Sequence, residues 1–245
     1  MSVQLDENLV ASHVRYMNEC NHLLLILNCH AYKHKANLQN QTWLKALPDW
    51  LPYYHVVGDI SLETPFVWDE ETRVLTVRAP DDYNSLPKKV MASLYAVQQT
   101  FPSLQYVWKT DDDQTVDNPT HFAEIVRDTL ERSKPRVHYG GHMVTIDQPY
   151  LSEYYTLHPC LPRWLPMMPT VYSSGRFYVL SKQARTNLLS KRDRVEREYL
   201  EDYAVGYHLD PYFKSNAVHL PVEYHVRDVD VKQPNDSSQH QTNNV

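Results

Sequence analysis

Glycine is scarce in this chain, with five residues among 245. So few leave little room for a loop whose bare backbone wraps a phosphate, and neither G-x-G-x-x-G nor G-x-x-x-x-G-K-S/T occurs. Any phosphate must be held by another device. Cysteine is nearly as rare. Cys20, Cys29 and Cys160 are odd in number, lie far apart and form no C-x-x-C pair. They exclude a disulfide framework and read as free thiols in a reducing compartment. No apolar run approaches the ~18–20 residues that cross a bilayer. The longest near the start, residues 23–27, is shorter than the ~7–15 residues of a signal-peptide core. Positive charge is in deficit: 24 Lys and Arg against 30 Asp and Glu give a net charge of −6, which argues against nucleic acid as the main partner. What remains is an ordinary globular composition, 42% hydrophobic and 22% charged, which excludes collagen, coiled coil and wholesale disorder.

No internal repeat and no clean linker divide the chain. The length suits one large domain with a sizeable core. Residues 5–20 read as an opening helix and residues 231–245 as a flexible polar tail. Between them strand alternates with helix. Short apolar runs at 23–27, 54–57, 74–77, 106–108 and 137–139 read as strands. Pro87 opens a helix with Val90, Leu94, Val97 and Phe101 on one face, and Pro119 opens another with Phe122, Ile125, Val126 and Leu130. This alternation predicts an α/β fold, a Rossmann-like and mainly parallel sheet with helices on both faces. In such sheets ligands bind beyond the carboxyl ends of the strands.

The strand at 106–108 runs straight into Asp111, Asp112 and Asp113. Three adjacent carboxylates repel one another, so a fold that aligns them calls for a cation. Hard oxygen donors favour Mg²⁺ or Mn²⁺, and the ion in turn can hold a diphosphate. A solvated acidic turn is the competing reading, and position alone leaves both open. Asp69-Glu70-Glu71 shows how readily such clusters arise without function. Glu201-Asp202 opens the segment EDYAVGYHL, where two acids in a first helical turn also suit the helix dipole. Asp81-Asp82 has a similar double reading, as a cap for the helix near Pro87. Of thirteen histidines, His219 and His225 stand out because they follow the acidic pair and flank a strand-like stretch, 217–226; a late histidine there can complete a metal site begun by the aspartates.

Taken together these segments resemble the β-1,3-glycosyltransferases of glycosyltransferase family 31, the galactosyltransferase and fringe group. The closest stretch, DDYNSLPKKVMASLYAVQQTFPSLQYVWKTDDDQTV at 81–116, is similar to the family's D-x-Y-x-N-L-T-x-K helix followed by a strand and K-x-DDD. HYGGHM at 138–143, PTVYSSGRFYVLS at 169–181 and EDYAVG at 201–206 follow in the family's order, and the likeness runs from about residue 22 to 226. The resemblance implies a GT-A fold in a single domain over 1–230, with a nucleotide-sugar-binding part at about 21–118 and an acceptor and catalytic part at about 119–230. It also implies a UDP-sugar donor, Mn²⁺ or Mg²⁺, and inverting transfer to a hydroxyl of a glycan or glycoprotein, with a β-1,3 linkage. By the family pattern Asp202 is the base and Glu201 supports it. Asp113 and Asp111 hold the metal, with His225 as a further ligand and His219 as the alternative. Asp111, Asp112, Lys109, Lys88, Asp81 and Thr42 face the donor. Gly141, Tyr172, Ser174, Gly175, Phe177 and Trp164 face the acceptor.

The chain also departs from the family. Where an early R-x-x-x-R-x-T-W is expected, both arginines are missing from residues 36–43 although Thr42 and Trp43 remain. Lys33 or Lys35 offers charge there, but a lysine cannot copy a bidentate guanidinium. Phe177 replaces a glycine in the S-G-x-G-Y motif. These departures motivate a second reading, a non-catalytic module that binds nucleotide sugar or glycan. A third, a metal-dependent phosphohydrolase, leaves EDYAVG without a role. The aromatic loop at 150–169, with Tyr150, Tyr154, Tyr155 and Trp164, offers ring faces for sugars. Eukaryotic relatives are usually anchored in the Golgi. The missing anchor and a Met-Ser start lead instead to the expectation of a soluble cytoplasmic enzyme, of viral or microbial origin.

Overall fold

The structure, a computed structural model, describes residues 20–229. The expected helix at 5–20, apart from its last residue, and the expected tail at 231–245 lie outside the described residues. In chain order the strands are β1 (His22–Leu27), β2 (Tyr53–Gly58), β3 (Phe66–Asp69), β4 (Val74–Val77), β5 (Tyr106–Asp111) and β6 (Gln114–Val116). They continue with β7 (Tyr139–Ile146), β8 (Tyr150–Ser152), β9 (Leu165–Met167), β10 (Thr170–Ser181), β11 (Val218–His219) and β12 (Val226–Asp228). The α-helices are α1 (Lys33–Gln41), α2 (Leu86–Thr100), α3 (Pro119–Arg132), α4 (Lys182–Leu189), α5 (Arg192–Val195), α6 (Glu201–His208), α7 (Pro211–Lys214) and α8 (Val222–His225).

The run HLLLIL is buried at every position, as a strand covered on both faces must be, and it forms β1 at the heart of an eight-stranded sheet. The sheet order is β11-β7-β10-β5-β1-β2-β4-β3. Strands β5, β1, β2 and β4 run parallel, β10 is antiparallel to both β5 and β7, and β3 is an antiparallel edge. The expected α/β architecture is therefore present. Alternation along β1 divides the core: Leu23, Leu25 and Leu27 pack with Val90, Leu94 and Val97 of α2, whereas Leu24 and Ile26 join Phe122, Val126 and Leu130 of α3. Both helices carry proline in the first turn, where the missing N–H costs nothing.

Several elements differ from expectation for identifiable reasons. The strand read at 137–139 lies at Tyr139–Ile146, because the two glycines after Tyr139 continue the strand rather than end it. Helix α1, KHKANLQNQ, has no apolar stripe. It is tied down by polar bonds instead: the Gln39 amide donates to the carbonyls of Asp111 (3.1 Å) and Gln114 (2.8 Å). The stretch 217–226 is not one strand but β11, a turn of helix and the start of β12. Among the described residues no helix is long and apolar enough to cross a membrane.

Helix α6 presses directly on β10. A methyl group placed on Gly206 would lie 2.2 Å from Cβ and 2.6 Å from Cα of Tyr172, a backbone contact that no side-chain rotation relieves. The Gly206→Ala protein is therefore expected to lose about 2–3 kcal/mol of stability, in the upper part of ordinary overpacking costs. Urea unfolding of the two proteins measures it, and an unchanged midpoint would contradict this packing.

Candidate active site

Strand β5 is apolar and buried until its end, where it delivers Lys109 and Asp111 to the carboxyl edge of the sheet beside the end of β1. The edge opens into a cleft of about 1060 Å³. Lys109 is buried and its ammonium serves three elements at once. It lies 2.7 Å from Asp111 Oδ1, 3.0 Å from Glu201 Oε2 of α6, and donates to the Gly175 carbonyl of β10 at 2.8 Å. Burial by itself would depress the Lys109 pKa, but the charges of Asp111 and Glu201 outweigh it and hold the group protonated well above its usual range. The other Glu201 oxygen accepts from the Tyr178 hydroxyl at 2.5 Å.

The neighbouring acids each have a partner. Burial raises the Asp111 carboxyl to about 6 against the pull of Lys109, and it raises Asp112 to about 6 against the pull of Lys35. Lys35 Nζ stands 3.2 Å from Asp112 Oδ1 and 4.2 Å from the centre of the Tyr32 ring. Asp81 accepts the backbone N–H groups of Gly58 and His30, both at 2.7 Å, and pairs with buried Lys89 at 2.5 Å. It thereby joins the loop that follows β1 to the end of β2. Asp202, in the first turn of α6, accepts the Gly175 N–H (3.0 Å) on one oxygen and the Tyr203 N–H (2.7 Å) on the other, while burial raises its pKa.

Asp113 Oδ1 accepts from the Gln114 side-chain amide at 2.9 Å, and the same nitrogen donates to Asp228 Oδ1 at 2.8 Å. Asp228 also pairs with Arg176 and lines the cleft. Sequence reasoning missed it. An aspartate in VRDVDVK has no local signal, and it reaches the site only because β12 pairs with β6 so that Asp228 faces Gln114. Lys89 was missed by one residue.

The cleft thus brings together Asp81, Lys109, Asp111, Asp112, Asp113, Glu201 and Asp202, with Tyr172, Ser174 and Gly175 on its wall. Part of the 150–169 loop reaches it as well. Tyr150 and Tyr154 line it, and the His158 ring stacks on Tyr83 at 4.3 Å between centres. The other expected residues lie elsewhere. Lys88 points to solvent, because consecutive helical residues are about 100° apart and Lys89 takes the inward position. Lys33 is likewise exposed. The Thr42 hydroxyl donates to the Leu38 carbonyl (2.7 Å) at the end of α1. His225 packs on Phe122 and has Nδ1 3.4 Å from the Asp117 carbonyl, while His219 pairs with Glu223. Neither histidine faces the aspartates. Gly141 belongs to the tight β7–β10 crossing, where a Cβ would meet Ser173 Oγ at 2.0 Å. Phe177 is turned into the core between Trp108 and Phe122 by a register shift in β10. Trp164 is exposed, and its ring meets Tyr155 edge-on outside the cleft.

The Galactosyltransferase family model matches residues 40–214. Beta-1,3-galactosyltransferase 4 of Canis lupus familiaris is 27% identical over 165 residues, covering 54% of this chain and 43% of that protein. The chain thus spans less than half the length of this relative. Among solved structures, the glycosyltransferase GlyE of Streptococcus pneumoniae TIGR4 covers 84% of this chain and 46% of its own, at 11% identity and a TM-score of 0.41. A glycosyltransferase involved in glycosylation of the major capsid of PBCV-1 covers 80% of this chain and 81% of its own, at 14% identity and a TM-score of 0.42. The family match takes in more than half of the sequence, including Asp81, the aspartates at 111–113 and the Glu201-Asp202 pair, and on that ground this chain belongs to the galactosyltransferase family.

Proposed function

We propose that the protein is an inverting, divalent-metal-dependent glycosyltransferase that moves a hexose or N-acetylhexosamine from a UDP-sugar to a hydroxyl of a glycan or glycoprotein, with a β-1,3 linkage. The observation that carries this reading is the meeting in one cleft of an acid suited to be a base, Asp202, with the acids that end β5. Asp111, Asp112 and Asp113 offer only hard oxygen donors, and two of them are buried enough to titrate near 6, so the set fits Mn²⁺ or Mg²⁺. Held by Asp111 and Asp113 with Asp112 beside them, the ion would neutralise charge on the departing diphosphate.

The chain's own groups do the rest. An acceptor hydroxyl is a poor nucleophile and must lose its proton as it attacks the sugar carbon opposite the leaving group. Asp202 is placed to take that proton. Both of its oxygens are fixed by backbone N–H groups, each oxygen keeps a further lone pair, and burial makes it a stronger base than a surface aspartate. Glu201 fits the supporting role, because one of its oxygens is ion-paired with Lys109 and the other accepts from the Tyr178 hydroxyl. Lys35, one of the two lysines that the sequence offered for this charge, beside Asp112, and Lys89, the neighbour of the expected Lys88, beside Asp81 supply positive charge on the donor side. Tyr83, Tyr154 and Tyr172 wall the cleft near Asp202.

Replacing Asp202 by Asn removes the base but keeps the shape. Transfer from UDP-sugars in the presence of Mn²⁺, followed as UDP release, is expected to fall about 10²–10⁴-fold while nucleotide binding by calorimetry persists. Unchanged turnover would remove Asp202 as the base, nucleotide binding without turnover in the parent protein would favour a binding module instead, and absence of nucleotide binding with any divalent ion would remove the proposal altogether.

Gly175→Ala probes the space between the charged groups. Its added methyl would lie 3.6 Å from Asp111, Asp202 and Lys109, an ordinary contact, so the fold is expected to tolerate it. The methyl would nevertheless fill room beside the base, and a drop in kcat/KM of about tenfold or more, worth ~1.4 kcal/mol at the barrier, is expected with an unaltered melting temperature.

Metal binding should depend on pH. Asp111 and Asp112 titrate at about 6 when folded, against ~3.9 when unfolded. Between those values the folded chain holds protons that the unfolded chain has released. The stability these groups contribute is therefore complete below about pH 4 and is lost as pH rises through about 6. A cation takes the place of those protons. Mn²⁺ is thus expected to raise the melting temperature more at about pH 7.5 than at about pH 5; equal increments at both would detach the two aspartates from the metal site.

A further inference from the structure

Outside the cleft, His142, His219 and Glu223 meet at the far edge of the sheet, and nothing in the proposed transfer uses them. They come from three elements. His142 lies in β7, His219 ends β11, and Glu223 lies in the first turn of α8. The parallel pairing of β11 with β7 sets His219 opposite Gly141, next to His142, and the two imidazole centres are 5.0 Å apart. Glu223 reaches back between them. Its Oε2 lies 3.2 Å from His142 Nδ1 and 3.2 Å from His219 Nε2, and its Oε1 lies 3.0 Å from the same His219 nitrogen. One ligand atom from each residue falls within 4.8 Å of the other two.

We propose that these three side chains form a binding site for Zn²⁺, separate from the cleft, that pins the segment 218–228 to the sheet. The donor set, two imidazoles and one carboxylate, is a common one for zinc. The spacing fits as well. A tetrahedral zinc with bonds of ~2.0–2.1 Å keeps its ligand atoms about 3.3–3.4 Å apart, close to the nitrogen–oxygen separations observed here. The side chains are partly exposed, so water completes the fourth position and the ion enters from solvent. At His219, Nδ1 is 3.4 Å from the Met143 backbone nitrogen, and coordination through Nε2 puts the ring proton on Nδ1 and gives up that long contact.

The site has a mechanical consequence. The segment it pins runs on into β12, which carries Asp228 to Gln114 and Asp113. Zinc at the edge therefore holds the strap that completes one wall of the cleft, without touching the cleft itself.

The test is calorimetric titration of the tag-free, full-length protein with ZnCl₂ alone, in the absence of nucleotide, alongside His142→Ala, Glu223→Gln and Asp113→Asn. Circular dichroism in EDTA checks that each variant is folded, and His142→Gln replaces His142→Ala if that protein is not. Zinc binding is expected to survive in Asp113→Asn and to weaken about tenfold or more in His142→Ala and in Glu223→Gln. A zinc-dependent rise in melting temperature should be lost in the same two proteins. Identical isotherms for the wild type and His142→Ala would overturn the proposal. So would loss confined to Asp113→Asn, which would put the zinc on the aspartates of the cleft.

Discussion

The Lys109 ammonium is the fixed point of this molecule. It is buried at the end of β5, and only its three acceptors make that burial tolerable: Asp111 on its own strand, the Gly175 carbonyl on β10 and Glu201 on α6. Those acceptors belong to the three elements that carry the candidate chemistry. Removing the lysine would leave Asp111 and Glu201 facing one another without a counter-charge. The same contact positions Asp202, because Gly175 is held through its carbonyl by Lys109 and through its N–H by Asp202. One charge thus sets the relative placement of the acids at 111–113 and the acid at 202, which are far apart in sequence.

Scarcity of glycine also takes on a structural meaning. Without a glycine-rich loop, the cleft pairs acids with lysines: Lys35 with Asp112, Lys89 with Asp81 and Lys109 with Asp111. Six carboxylates, Asp81, Asp111, Asp112, Asp113, Glu201 and Asp202, in one cleft would otherwise be unfavourable, and these pairs reduce the repulsion while leaving oxygen lone pairs free. Four of the five glycines sit at close approaches, Gly175 being the exception. Gly206 lets α6 rest on β10, and Gly141 lets β7 cross close to Ser173.

Much of the fold was legible because it depends on local periodicity. The strands at 23–27, 54–57, 74–77 and 106–108, and the helices opened by Pro87 and Pro119, were readable from apolar spacing and proline. Helix α1 was not, because polar side-chain bonds from Gln39 hold it and leave no stripe. Placement of the acids at a strand end followed from the apolar run before them. What sequence alone could not supply was orientation. Lys88 and Lys89 differ by a single helical step, and only packing decides which turns inward. Phe177 was expected beside the acceptor, yet a register shift inside β10 sends its ring into the core, which is invisible in a linear motif. The histidines at 219 and 225 were read as partners for the aspartates, but the break of 217–226 into strand, helix and strand directs them elsewhere and brings Asp228 instead.

The pairing of β6 with β12 has a consequence for how the protein comes into being. Gln114 and Asp228 are separated by 114 positions, and their contact closes one wall of the cleft. Contacts of such long range form late, since the intervening chain must first be ordered. During synthesis the three aspartates leave the ribosome long before the strand that shields them. The parallel core can assemble around β1 and β5 in that interval while the acids still face open water. That wall of the cleft is therefore complete only once residues 226–228 have paired with β6.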